Sequence, residues 1–310
     1  MKELEIIEVI KNTLSSEYIG DDCAYLGDLG IVITQDSLVE DVHFSREFSS
    51  AYQLGYKSVA VNLSDIYAAG AEAKYLTVSL SLPKDVDNNF VKEFYEGAKL
   101  ALNGAKIVGG DVTGADKIFV SICAIGSTKN RKISSRKNAK VGYKIITNGT
   151  HGSSSAGLFV LQNGGSGHEK LKQEHLMPSV CNRLSEIIAT TAENDYAMMD
   201  SSDGLMDALF KIADNSGFMA KVDFNKIPFD KAIQTIENFD YRHGIFFGGE
   251  DYRLVCAISQ EDLAKVDSNL YYEIGEIVKK TDDNIVEVKF DENIQYFDKK
   301  SIENKLFRHF

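Results

Sequence analysis

The 310-residue chain has no apolar run approaching 18 residues, no CxxC pair, no tryptophan and only three prolines. The first absence excludes an ordinary membrane-spanning helix. The opening M-K-E-L-E-I-I-E-V-I lacks a signal-peptide pattern, so a soluble cytoplasmic protein is expected. Cys23, Cys123, Cys181 and Cys256 lie far apart in or near apolar segments, which predicts buried free thiols rather than disulfides or zinc ligands. Positive charge is also scarce: 34 basic residues against 46 acidic ones give a net charge of −12. Such a chain should avoid nucleic acid and anionic membranes. There is no G-x-x-x-x-G-K-[ST] loop, no G-x-G-x-x-G loop, no internal repeat and no low-complexity tract. If the protein handles phosphates, metal ions or local basic patches must offset its own field.

What is present is ordinary globular composition, 44% apolar and 26% charged, in a length that fits two domains. The stretch from Gly20 to Phe44 organises the reading. Asp21 and Asp22 precede a β-branched run (Ile31-Val-Ile33), and Asp36, Glu40 and Asp41 follow it. That places Asp36 where a buried strand leaves the core. Several carboxylates converging on one point are tolerable when a cation neutralises them. A solvated acidic turn is the plainer alternative for any single acid.

The rest of the chain supplies more of the same. Residues 3–14 read as an amphipathic helix with Leu4, Ile7, Ile10 and Leu14 on one face. Ala51 to Ala69 reads as a helix closed by Gly70, carrying Asn62, Ser64 and Asp65 among small and apolar residues. Polar groups in that setting face solvent or serve a site. Tyr75 to Leu82 and Lys117 to Ile125 alternate as half-buried strands, with a helix from Asn88 to Asn103 between them. Gly109-Gly-Asp111 ends an apolar run, and six cations fall between residues 129 and 140, the expected domain boundary. Beyond it come a strand at 143–147, a glycine- and serine-rich turn leading into a helix, and a helix near 180–192. Asp200 lies at a chain reversal, Asp203 at a helix start, and Glu250 and Asp251 follow a second glycine pair. Asp22, Asp36, Asp65, Asp111, Asp200, Asp203, Glu250 and Asp251 thus recur at element ends, none at a zinc-like spacing with histidine or cysteine. An oxygen-only set of this kind suits Mg²⁺ or a related hard cation.

In this order, G-D-D at 20–22, T-x-D at 34–36, V-H-F at 42–44 and N-L-S-D at 62–65 form one series with G-G-D at 109–111, D-S-S-D-G-L at 200–205 and G-G-E-D-Y at 248–252. The series resembles thiamine-monophosphate kinases, of the superfamily that includes aminoimidazole-ribotide synthetase and selenophosphate synthetase. The resemblance spans nearly the whole chain. It implies direct in-line transfer of the γ-phosphoryl group of ATP to thiamine monophosphate, with a Mg²⁺ cluster held by carboxylates. Carried over by motif, Asp22, Thr34, Asp36, Asp65, Asp111, Asp200 and Asp203 are metal-side residues, with Gln35 in the place of a second threonine. Asp22, Asp36, Asp65 and Asp203 are the implied catalytic residues. Tyr95, Gly110, Asp111, Arg136 and Ser202 would contact ATP; His43, Glu250 and Phe307 would contact the thiamine phosphate.

The chain departs from the family pattern at Gln35, Asp41, Tyr143, Ser153 and Phe307, the last replacing a tryptophan. The implied architecture is α+β: residues 1–137 form an ATP- and metal-binding domain with a mixed, dimerising sheet, and residues 138–310 a C-terminal α/β sandwich that completes the substrate site. The resemblance also implies a homodimer acting on the small-molecule substrates ATP and thiamine monophosphate. A sister ATP-dependent synthetase, a metal-dependent phosphohydrolase and a non-catalytic nucleotide binder are the alternatives.

Overall fold

A computed structural model describes residues 3–306. Helix α1 (Glu3–Leu14) forms over the expected residues, but Ile7, Ile10 and Leu14 stay exposed, so its apolar face joins no core. Strands β1 (Ala24–Leu26) and β2 (Ile31–Val39) follow, then α2 (Ala51–Ala68), β3 (Glu72–Leu82), α3 (Asn88–Ala101), β4 (Lys106–Gly114) and β5 (Phe119–Ser127). The strands make one sheet in the order β1-β2-β5-β3-β4, antiparallel except for β3 and β4, which α3 connects as a parallel crossover.

The second half contributes β6 (Lys144–Thr147), α4 (Ser153–Gln162), α5 (Glu169–Leu176), α6 (Arg183–Thr191), β7 (Ala197–Asp200), α7 (Leu205–Ser216) and β8 (Met219–Asp223). It continues through α8 (Tyr241–Phe247), β9 (Leu254–Ile258), α9 (Gln260–Leu263), β10 (Tyr272–Val278), β11 (Asn284–Phe290), β12 (Asn293–Asp298) and α10 (Lys299–Glu303). These strands form a second sheet, β12-β11-β8-β10-β6-β9-β7, again mostly antiparallel. The α+β architecture is as expected. The sequence did not disclose α5 or the β11–β12 hairpin. Among the described residues no helix is long and apolar enough to cross a membrane. All four cysteines are free, but Cys181 is exposed and Cys123 half-buried, because only Cys23 and Cys256 face a core.

Helix α2 sits at the centre. Ser50 and Gln53 form a reciprocal cap at its start: Gln53 N–H donates to Ser50 Oγ at 3.2 Å and Ser50 N–H to Gln53 Oε1 at 2.9 Å. Fourteen of its eighteen residues are buried, since it packs on β2 and β5 with one side and on β7 and β9 with the other. That explains why it is not amphipathic: a helix covered all round has no solvent face to mark. Helix α3 crosses α2 at Gly55 and Gly97, where a Cβ on either residue would collide with the carbonyl of Phe94 or Tyr52. In the second sheet, β6, β7 and β9 are buried on both faces. Ile146, Met198 and Cys256 join the core around α2, and Ile145, Met199 and Val255 pack in the separate core with α7 and α8.

Candidate active site

The C-terminal half of α2 carries polar residues into this dry surrounding. Ser64 is fully buried and donates from Oγ to Asp200 Oδ2 at 2.5 Å. Asn62 is also buried; its Oδ1 accepts from the Asp36 N–H at 3.1 Å and its amide donates to Ser58 O at 3.0 Å. Thr34 Oγ1 donates to Asp65 Oδ2 at 2.6 Å. Asp22 accepts from Arg136 Nη2 at 2.5 Å, and the Arg136 N–H and Ser135 Oγ hold Asp21 at 2.7 and 2.8 Å. Three segments far apart in sequence therefore deliver Asp22, Asp65 and Asp200 to one point, with one carboxylate oxygen of each within 4.8 Å of the others.

The electrostatics of this cluster are unbalanced. Burial pushes the Asp200 carboxyl up to about 7, reinforced by Asp22. Burial likewise raises Asp36 to about 6, with Asp203 and Asp22 adding to it. Asp65 is driven well above its ordinary value by burial and by the charges of Asp36, Asp200 and Asp22, and Asp22 is raised because burial outweighs Arg136. Asp200 Oδ1 is buried with no hydrogen-bond partner among the described residues. An orphaned buried carboxylate oxygen, surrounded by carboxylates and a hydroxyl, fits a hard divalent cation.

Strand register sorts the remaining expectations. Asp36 does not lie where β2 leaves the core; the strand runs on to Val39, and Asp36 pairs with Ile122 on the core face. Gln35 points to the opposite face and donates from Nε2 to Ser121 Oγ at 3.0 Å, so it is not brought to the cluster. Asp111 pairs with Ser79 on that same far face, on edge strand β4, and Gly110 is its neighbour. Tyr95 is half-buried on α3, edge-on to Phe94. Gln35 and Asp111 thus lie on the face of the sheet opposite Asp36, and none of Gln35, Tyr95, Gly110 and Asp111 belongs to the group of three converging acids. Asp203 is not a helix cap: α7 begins at Leu205 with Gly204 as its N-cap, and the Asp203 carboxylate lies 3.6 Å from Lys211 Nζ. Lys211 is held by the buried Asp207 at 2.6 Å, one turn earlier on the helix. Phe307 lies outside the described residues.

The N-terminal half of α2 faces a second group. His43 lies beside β2 and its Nδ1 accepts from the Val39 N–H at 3.1 Å, which leaves the proton on Nε2. Glu250 follows Gly248-Gly249 and adopts φ +67°; its N–H donates to Ser202 O at 2.7 Å. A Cβ at Gly249 would come within 2.8 Å of that same carbonyl, so the glycine lets the two loops close. Glu250 and His43 line a cavity of about 340 Å³ with Phe44, Phe48, Leu158 and Leu161. Lys57 Nζ stands 2.8 Å from Glu250 Oε1. From sequence alone, Lys57, His175 and Lys211 have no assigned role. Only Lys211 had a local signal, its i,i+4 spacing from Asp207.

A fold of two mixed sheets around a buried acid-bearing helix defines a class. The family models of AIR synthase related protein match it, the N-terminal domain over residues 20–128 and the C-terminal domain over 140–287. Within that class the relatives are specific. The thiamine-monophosphate kinase of Aquifex aeolicus is 32% identical over 275 residues, covering 84% of this chain and 86% of that protein. The enzyme of the same name from Bacillus subtilis is 34% identical, covering 79% and 78%. The solved complex of AaThiL with AMPPCP and TMP superposes with a TM-score of 0.85 at 30% identity, over 100% of this chain and 97% of that one. The chain belongs to the thiamine-monophosphate kinase family.

Proposed function

We propose that this protein phosphorylates thiamine monophosphate with ATP, giving thiamine diphosphate and ADP, with Mg²⁺ at the acid cluster. The observation that carries the reading is the convergence of Asp22, Asp65 and Asp200, from both halves of the chain, on one buried point with an unpartnered oxygen. The family relationship supports the substrates, since AMPPCP is an ATP analogue and the similar AaThiL has been solved with it and TMP.

In the reaction the bond from the γ-phosphorus to the β,γ-bridging oxygen breaks, ADP departs with that electron pair, and a phosphate oxygen of the acceptor forms the new P–O bond. Mg²⁺, when bound, would neutralise the facing polyanions and polarise the transferred group. The chain's own share is positioning and charge. Asp22, Asp65 and Asp200 would hold the metal, with Asp36 and Asp203 beside them. Thr34 and Ser64 orient two of those carboxylates by hydrogen bonds at 2.6 and 2.5 Å. Arg136, paired with Asp22, is a cation available to ATP phosphate in place of a Walker lysine. Ser202 sits between the cluster and Glu250 and would meet the nucleotide there.

The division of labour proposed is residues 1–137 for nucleotide, metal and dimerisation, and 138–310 for completing the acceptor site. Tyr95, Gly110 and Asp111, which are not among the three converging acids, are assigned to ATP, and the five-stranded sheet to a homodimer interface. The acidic charge and free thiols accord with a cytoplasmic setting. The test is direct: purified protein with ATP, Mg²⁺ and thiamine monophosphate should yield thiamine diphosphate and ADP, and omission of either ATP or metal should abolish it. Phosphate release without thiamine monophosphate would replace the kinase with a phosphohydrolase.

A further inference from the structure

Helix α7 carries a charge pair that has no part in the transfer chemistry as proposed. Lys211 lies one turn beyond Asp207, and a helical side chain leans back toward the helix N-terminus. Lys211 therefore reaches past Asp207 to Asp203, with Nζ 2.6 Å from Asp207 Oδ2 and 3.6 Å from Asp203 Oδ2. Asp207 is 1% exposed, whereas the Lys211 side chain keeps 23% of its surface open. Burial works against the ammonium charge, as does Arg136, but Asp207 and Asp203 outweigh both and hold Lys211 above its ordinary value. Lys211 stays a cation.

Asp207 sees no solvent, so this is not an i,i+4 pair on a hydrated helix face. For the fold alone, apolar residues of similar volume would serve as well or better. The same helix also aims a second cation. Near its C-terminal end Ser216 Oγ donates to the Arg136 carbonyl at 2.9 Å, so α7 sets Arg136 on Asp22 and Lys211 on Asp203. The two cations are not equally free. Arg136 has Nη2 engaged by Asp22 and Nη1 by the Gly20 carbonyl at 3.2 Å. Lys211 has three donors. Asp207 anchors it, and the 3.6 Å approach to Asp203 is too long for a hydrogen bond. The acid cluster thus has beside it a partly open ammonium with donors to spare, tied to a carboxylate that no metal needs.

Building on the proposed kinase activity, we propose that Lys211, anchored by Asp207, binds a phosphate oxygen of ATP. Before ligands arrive its charge balances Asp203; with Mg²⁺ on the acids, the same ammonium is left for the triphosphate. Helix α7 would then supply the lysine that a Walker loop provides elsewhere. A residue that merely supported Asp203 would lose metal and nucleotide together when removed. A phosphate ligand loses the nucleotide alone, because a lysine repels a divalent ion and its removal takes away that repulsion.

The experiment measures AMPPCP binding with Mg²⁺ by calorimetry, and binding of Mn²⁺ alone by electron paramagnetic resonance, Mn²⁺ standing in for Mg²⁺ at carboxylates. Lys211→Met should weaken AMPPCP by about tenfold or more, the scale of one charge-assisted hydrogen bond. Mn²⁺ alone should bind that variant at least as tightly as wild type. Lys211→Arg, which keeps the charge, should recover most of the AMPPCP affinity. The double variant Lys211→Met/Asp207→Leu leaves no unpaired buried carboxylate, so it serves where the single variant does not fold. It should show the same split between nucleotide and metal. Equal weakening of AMPPCP and Mn²⁺ overturns the inference, as does AMPPCP affinity within about twofold of wild type in either folded Met variant. A wild type that binds AMPPCP through Lys211 but makes no thiamine diphosphate would sink the kinase reading and leave the phosphate contact standing.

Discussion

The two halves of α2 solve opposite electrostatic problems. At the C-terminal half Asp65 meets Asp22 and Asp200 with one cation in contact, Arg136, and a buried oxygen is left over. At the N-terminal half, two helical turns earlier, Lys57 pairs with the single carboxylate of Glu250 from inside the protein, and His175 Nδ1 lies 3.3 Å from its other oxygen. The first end is stable only with something added; the second is complete before any ligand arrives. Metal-dependent chemistry and ligand reading call for these two conditions respectively. One helix, with a rise of about 1.5 Å per residue, sets them roughly 12 Å apart.

Removing charge from the open end should have the largest effect. Asp200→Asn keeps an oxygen for the Ser64 hydroxyl but deletes one of the three converging charges. Activity should fall by about a hundredfold or more, as when a preorganised electrostatic group is lost. The same variant should melt at a higher temperature than wild type in metal-free buffer, because it relieves repulsion. A variant that lost activity and stability together would mark Asp200 as a structural residue.

Metal and pH should act on the same end. The folded-state values of Asp36 and Asp200, about 6 and about 7, lie above the ordinary aspartate range. A raised acid stabilises the fold most when protonated, so metal-free protein should lose stability as pH rises through 6 to 7. Saturating Mg²⁺ should remove that loss, since a cation then takes the place of the protons. Melting curves with EDTA and with Mg²⁺ between pH 5.5 and about 8 check both the sign and the reversal. Parallel curves would show that the acids do not share a cation.

The closed C-terminal interior should respond in the other direction and less. His151 is fully buried, its Nε2 lying 2.9 Å from Thr147 Oγ1, and burial, aided by Arg253, depresses it to about 3. The unfolded chain therefore takes up a proton near pH 6.5 that the folded chain refuses, and stability drains away as pH falls from about 6.5 toward 3. In Mg²⁺-saturated protein, His151→Gln should shift the acid unfolding midpoint downward. An unmoved midpoint would assign acid unfolding to other groups.

How much of this was legible in the sequence follows the same division. The acids were visible because glycine pairs and strand ends flag them, and α2, β3, α3, β5 and β6 followed from periodicity and caps. Helix α1 shows the limit of periodicity: its apolar face exists in sequence and is covered by nothing among the described residues. The compensating partners were not legible. Lys57 reads as one more lysine, and His175 sits in E-K-L-K-Q-E-H-L, where nothing local foretells a buried imidazole across from residue 250. Long-range pairing of this kind is set by how α2, α5 and the Gly249 loop pack. Asp36 was placed at a strand end because the apolar run stops at Ile33, whereas backbone pairing with β5 carries the strand on through polar residues.

The smallest effect is expected at Gln35, and it tests the register itself. Side chains alternate along a strand, so the face of β2 that presents Thr34 and Asp36 to α2 cannot also present Gln35. The Gln35 amide is already spent on Ser121 Oγ at 3.0 Å. Within one chain it has no route to the three acids. Gln35→Ala should leave the Mg²⁺ concentration for half-maximal activity within about twofold of wild type, the scale of an exposed polar substitution. Thr34→Ala, which removes the 2.6 Å bond that orients Asp65, should raise it several times more. Should both variants shift the Mg²⁺ requirement equally, Gln35 would have to reach a metal from the far face. The exposed side of the five-stranded sheet would then belong to an active site shared between two chains.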